Sequence, residues 1–429
     1  MKSRKFPTTL SRIIDNCRLK NAGIQYLIFF LFCSISSAKS NKWHEWLGED
    51  KTGLVKDFIP PPKWPPQLIR KWRINLGSGY GTPILEGNKI FSHTRKDNAE
   101  YVVCINKQSG KILWSEMYET KFTIGGGGEK HGKGPKANPV YSDGVLYTLG
   151  ISGILSAWNA EDGKRKWSKV PGKPFGQAHA HWGASNSPTV LGGKIINLFG
   201  NDEKGALMAL DKYNGKTIWS LPCNGTCYSS PIHGKIGGLH QVVVLNHESL
   251  IGVNINSGEL LWEFPFPHRT HNQNMTTPVI YENKVIFGGE NRGVYCIEPT
   301  FKNGSWEVNK VWTQKKVALN MASPLIANNL VFGLSHYASG RFFCINPLDG
   351  KILWQGEPRT AQNAMFLSFK NHVLALSNHG KLNIFPSSGK EFKDVASYTV
   401  SDNQTWAPPV LLNDGLLIKD SQYLTYWNL

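Results

Sequence analysis

The chain has 429 residues, with 48 Lys and Arg against 31 Asp and Glu for a formal charge of +17, and it holds 43 Gly, 24 Pro and 15 Trp. Sparse charge with plentiful Gly, Pro and Trp suits many short strands joined by turns better than helices, so an all-β chain is expected. The Lys and Arg are scattered through turns such as Asn-Gly-Lys instead of forming a run, so no nucleic-acid partner is expected.

Residues 1–38 read as a signal peptide. Lys2, Arg4, Lys5, Arg12, Arg18 and Lys20 form a basic start, Ile24 to Ile35 an apolar core, and Ser36-Ser37-Ala38 a small-residue cleavage site. The apolar run is too short to span a bilayer comfortably, so an exported chain with no transmembrane span after cleavage is expected, in the periplasm or at the cell surface. Phe32 precedes Cys33 where a lipid-attachment signal wants a small residue. Without residues 1–38 the chain keeps 42 basic against 30 acidic side chains. Residues 39–69 form a Trp- and Pro-rich lead-in, and one repetitive unit over 70–429 follows.

Internal repetition dominates that unit. ANPVYSDGVLYTLGISGILSAWNAEDGKRKWS (137–168) recurs in six clear copies, beginning near Gly81, Ala137, Asn186, Ser229, Thr276 and Ala322. Each copy holds four β-rich runs separated by Gly or Asn turns, and most close with Asp/Asn-x-x-x-Gly-Lys and a strand ending in Trp. Alternating Val, Ile and Leu give each strand an apolar face that one sheet cannot bury alone, so sheets must stack on both sides and form a ring. The strand-ending residues are Trp114, Trp167, Trp219, Trp262, Trp312 and Trp354. Residues 366–398 are a degenerate copy without the Trp, and 406–429 supply three more strands. The run Lys71 to Leu76, containing Trp72, has the missing fourth-strand pattern. The expectation is an eight-bladed β-propeller of four-stranded antiparallel blades, its last sheet shared between the two ends of the chain.

Cys223 and Cys227 lie in Cys-Asn-Gly-Thr-Cys, a spacing that a β-turn can close into a small disulfide in an oxidising compartment, and this bridge is expected. Cys104, Cys296 and Cys344 occupy one place in three repeats and read as buried apolar residues.

The repeat resembles the pyrroloquinoline-quinone-like (PQQ-like) propeller superfamily, whose Ala-x-Asp-x-x-x-Gly-x-x-x-Trp signature is matched best by Ala209, Asp211, Gly215 and Trp219. Trp43-x-x-Trp46-x-Gly48-x-x-x-x-Gly53 with the Pro-rich stretch to Pro66 is similar to the lead-in of planctomycete-type secreted propellers, often labelled by analogy with BamB, the lipoprotein propeller of outer-membrane protein assembly. The resemblance implies one of two classes, a non-enzymatic scaffold or a quinoprotein dehydrogenase holding PQQ and Ca²⁺. Such dehydrogenases carry adjacent cysteines under the quinone, long loops and calcium-binding carboxylates; this chain has no Cys-Cys pair and short connections, so no cofactor is expected. A scaffold for a protein partner, set in envelope or outer-membrane assembly, is the leading reading. A PQQ-dependent or metal-assisted enzyme and a carbohydrate or acidic-polymer binder are the alternatives.

Binding residues of a propeller gather where linkers between blades cross toward the centre. GGGGEKHGKGP (125–135), PFGQAHAHWGASNSP (174–188) and PFPHRTHNQNMTTP (265–278) contain His131, His179, His181, His268, Arg269, His271 and Asn272. A metal reading would join His179 and His181 to His268 and His271, but ordinary loop hydrogen bonding is the simpler use, and no metal is expected. Tyr80, Trp182, Tyr228 and Trp406 are candidates for an aromatic rim. No nucleophile elbow, phosphate loop or His-Glu-x-x-His is present, so no catalytic residue is assigned.

Overall fold

The third blade shows how the repeat makes a sheet. Its strands Thr189–Leu191, Lys194–Gly200, Gly205–Asp211 and Thr217–Cys223 pair antiparallel in sequence order. Gly192 and Gly193 turn the first hairpin at positive φ. Asp211 closes the outer hairpin: its Oδ1 accepts the Tyr213 and Asn214 amides at 2.8 and 3.1 Å, and its carbonyl accepts the Gly215 amide at 2.7 Å.

That architecture recurs eight times in the computed structural model, which describes residues 42–269 and 274–429. The signal-peptide reading, His271 and Asn272 lie outside these residues. Blades 1 to 7 span Ile84–Glu119, Val140–Lys169, Thr189–Cys223, Ile232–Pro265, Val279–Gln314, Leu325–Gln355 and Ala364–Thr399. Blade 8 takes three strands from Val410–Asn428 and its outer strand from Ile69–Asn75, with Ile69 opposite Asn428 and Asn75 opposite Tyr423. The expected eight-bladed, all-β ring with a shared last sheet is what forms, and no α-helix occurs among the described residues.

The Gly and Trp of the signature meet across blades, not within one. The Trp114 ring packs on Gly163 of the next blade, Trp167 on Gly215, Trp219 on Gly258 and Trp312 on Gly350, while Trp72 of blade 8 packs on Gly110 of blade 1. A Cβ at Gly163 would stand 2.7 Å from Trp114, and the φ of +77° suits glycine, so two separate constraints fix that residue. Each ring also donates its Nε1 hydrogen to a carbonyl of the neighbour: Trp72 to Lys107 at 2.8 Å, Trp114 to Ala160 at 3.3 Å, Trp167 to Lys212 at 3.2 Å and Trp354 to Ser388 at 2.8 Å. Trp262 departs from this pattern. Blade 5 has a long outer hairpin (Gly293–Lys302, Ser305–Gln314) in place of the Asp-x-x-x-Gly turn, and Trp262 lies over Gly252 of its own sheet and bonds Gln241 at 2.6 Å.

The lead-in does more than precede the ring. Lys42–Trp43 adds a fifth strand to the inner edge of blade 1, opposite Glu86 and Leu85. The His44 carbonyl accepts the Tyr141 amide of blade 2 at 2.9 Å, and Glu45 accepts the Thr189 hydroxyl of blade 3 at 3.1 Å. After a turn through Gly48, the chain returns along blade 7, where the Val55 amide meets the Ser368 carbonyl and the Ser368 amide meets the Gly53 carbonyl, both at 2.7 Å. Residues 42–55 therefore line the innermost strands and plug the central channel. Trp43 and Trp46 are buried by this packing, and Phe58, just beyond the plug, is buried edge-on against Phe369 of blade 7 at 4.8 Å.

At the plug's tip, Lys51 is buried with its Nζ 3.0 Å from the Pro188 carbonyl and 3.4 Å from Glu45. Burial pulls the Lys51 ammonium below its ordinary pKa and pushes the Glu45 carboxyl above its own, while their mutual attraction opposes both shifts.

Candidate functional site

In blades 1 to 6 a small polar residue stands just before the inner strand, and these residues form a chain of hydrogen bonds from blade to blade. The Thr82 amide bonds Asn138 Oδ1 at 2.5 Å, Asn138 bonds Ser187 Oγ at 3.0 Å, Ser187 bonds Ser230 Oγ at 2.8 Å, Ser230 bonds Thr277 Oγ1 at 3.0 Å and Thr277 bonds Ser323 Oγ at 2.9 Å. In blade 7 Met365 takes that place, and Asn363, two residues earlier, has its Oδ1 and Nδ2 both buried without a partner.

Above this ring opens a funnel of about 310 Å³. Trp46 of the plug reaches into it, and Tyr80, Trp182, Tyr228 and Trp406 supply aromatic walls, with Met275, Met321 and Met365 between them. Trp182 stacks on Tyr228 at 5.6 Å and 26°, and its backbone amide donates to the Tyr228 hydroxyl at 2.9 Å. Tyr80 meets Trp406 edge-on at 6.4 Å, and His131 meets the same indole at 4.6 Å. Lys136 donates to the Trp182 carbonyl at 2.8 Å, and burial lowers its pKa to about 8. Burial together with Lys136 and Lys130 brings His131 to about 4, so it is neutral at pH 7. No Asp or Glu is among the described residues lining the funnel.

Five of the sequence candidates thus converge: Tyr80, His131, Trp182, Tyr228 and Trp406. The other linker residues disperse. His181 lies on the exposed side of Trp182, 5.6 Å from its ring, and His179 packs edge-on against Phe122 at 5.1 Å. His268 stacks on His247 at 3.6 Å and 11° and contacts Glu248 at 3.1 Å. Arg269 lies near Arg292, outside the funnel lining. The grouping of His179 and His181 with His268 does not form; the atoms within 4.8 Å of one another belong to His247, Glu248 and His268. Stacked parallel imidazoles point their lone pairs along parallel lines, which does not suit convergence on one ion.

The Cys223–Cys227 bridge also does not form. Both thiols are free: Cys227 faces the Leu245 carbonyl at 2.6 Å and Cys223 the Gly225 carbonyl at 3.3 Å, so the turn satisfies each separately. The sequence reading did not place Trp46, Asn363 or the polar ring at the site. The ring had a signal in the Asn-Pro, Ser-Pro and Thr-Pro pairs that open successive repeats; Trp46 had none, because its place depends on where the whole plug lies.

A family profile described as "Outer membrane protein assembly factor BamB" matches residues 98–356. BamB of Salmonella typhimurium is 23% identical over 300 residues, covering 68% of this chain and 73% of that protein. Among solved structures, BamB from Moraxella catarrhalis superposes with a TM-score of 0.60 at 14% identity, over 84% of this chain and 98% of that one. A quinohemoprotein alcohol dehydrogenase from Comamonas testosteroni gives 0.67 at 11% identity, over 90% and 80%. These two structural likenesses bear on the fold.

Proposed function

Because the chain belongs to the family of outer membrane protein assembly factor BamB, we propose that it is an exported, non-enzymatic propeller that holds a protein partner during envelope or outer-membrane assembly, in the periplasm or at the cell surface. The observation that carries this reading is the occupied channel: the chain's own residues 42–55 fill the ring and leave an aromatic recess on one face. Rigid blades hold Tyr80, Trp182 and Trp406 from distant repeats in fixed register, which suits recognition. No helix among the described residues is long and apolar enough to cross a membrane.

The residues do not fit PQQ with Ca²⁺. Calcium needs several oxygen ligands, usually carboxylates, and the funnel lining offers none. Glu45, the least exposed acid of the plug, is committed to Lys51 and Thr189. The test has two arms. Loss of the protein from its native cell should lower the content of outer-membrane β-barrel proteins and be restored by the intact chain, and PQQ with Ca²⁺ should leave the purified protein's Tm unmoved. Unchanged barrel content, together with a PQQ-dependent rise in Tm and dye reduction with alcohols, would replace the scaffold by a quinoprotein.

A further inference from the structure

We propose that the funnel seats one aromatic side chain of an extended, acidic peptide, with the carboxamide of Asn363 pairing to the peptide group beside that side chain. This rests on the protein-scaffold reading and names the chemistry its partner must present.

Asn363 carries the first part. Its residue is 0% exposed, and neither Oδ1 nor Nδ2 has a partner. Leaving a buried donor and acceptor unmet is costly, so such a group points to a partner arriving from outside. A carboxamide offers one acceptor beside two donors. Its natural complement is a group with N–H and C=O side by side, which a peptide unit supplies.

The walls carry the second part. Trp46, Trp182, Trp406, Tyr80 and Tyr228 present flat faces and edges suited to a ring, and three methionines can adapt to its outline. A volume of about 310 Å³ fits one large side chain with its adjoining peptide unit and little else. The charge carries the third: Lys130 and Lys136 border the cavity and no carboxylate opposes them, so an acidic neighbour of the inserted ring is favoured over a basic one.

The probe is N-acetyl-Phe-Asp-amide, titrated into the full-length mature protein by calorimetry and by ligand-observed NMR, beside the Ala-Asp and Phe-Lys analogues. The expected order is Phe-Asp tightest, with both analogues about tenfold weaker, the loss that about 1.4 kcal/mol produces. Asn363→Leu should weaken the Phe-Asp peptide by a similar factor while leaving Tm unchanged or higher, because it removes two polar atoms that have no partner in the free protein. Unchanged peptide affinity in Asn363→Leu overturns the proposal. So does a lowered Tm, which would mean that ordered water alone satisfies the amide. Equal binding of the three peptides, or tighter binding of an acidic oligosaccharide such as tetragalacturonate, overturns it as well. Failure here with the barrel-protein phenotype intact leaves the scaffold reading standing; peptide binding without that phenotype does the reverse.

Discussion

His233 stands on the inner strand of blade 4, Ile232–Ile236, and the plug determines its chemistry. Burial comes first and the Lys51 ammonium second in bringing its pKa to about 4, near the value of His131 in the funnel. Both imidazoles are neutral in the folded chain and titrate near 6.5 when unfolded, so the unfolded state binds more protons between those values. Their contribution is complete above about pH 6.5 and is lost as pH falls toward 4. His247, His336 and His372 are shifted the same way. His44 opposes them, since Glu49 and Glu86 hold its pKa up against burial and its contribution fades as pH rises. The downward group is larger, so the Tm at pH 5 should lie below that at pH 7.5, and His233→Gln should remove part of the difference. A Tm that is flat or higher at pH 5 would show that these rings do not sit in the neutral, buried state.

Among the elements, the plug differs most from what the local pattern suggests. The blades were legible because each strand declares itself within a few residues: alternating apolar positions, a Gly turn, and the Asp-to-Gly closure seen in Asp211 and Gly215. The plug's contacts are with strands from Glu86 to Ser368, so no window of sequence contains them; Trp43, Trp46, Gly48 and Gly53 showed a motif but not a location. The histidine linkers mislead for a related reason, since spacing along the chain does not tell which face of a loop His179 or His268 turns to. Lys51 and Glu45 give the plug a measurable energetic signature. Lys51→Met leaves Glu45 buried beside Thr189 without its cation, and is expected to destabilise the protein by about 3–5 kcal/mol in urea unfolding. Glu45→Gln on top of Lys51→Met should recover most of that loss, because the uncompensated charge is then gone. Additive losses in the double variant would mean that the pair does not interact within the channel.

For the whole molecule, closure depends on Ile69–Asn75 joining Tyr423–Asn428. The join is reinforced on both sides. Arg73 lies over the Tyr423 ring at 4.0 Å and Lys71 over Tyr426 at 4.5 Å, while buried Lys107 of blade 1 reaches Asp414 of blade 8 at 2.7 Å. Removing residues 39–76 takes away the plug and the closing strand together, so a loss of stability there would not say which mattered. The register separates them: Ile69 stands opposite Asn428, next to the C-terminal Leu429, so a short Gly-containing turn can carry residues 69–76 directly after 429. A chain beginning at Gly77 with that appended strand should be monomeric and unfold in one cooperative step at a lower urea midpoint than the intact protein, since it regains closure but not the plug. The same chain without the strand exposes the edge of Tyr423–Asn428 and the face that receives Trp72, and should aggregate on size-exclusion chromatography. Equal solubility and midpoint in the two chains would mean that blades 1 to 7 and three strands of the eighth already hold the ring, leaving the shared sheet without a role in closing it.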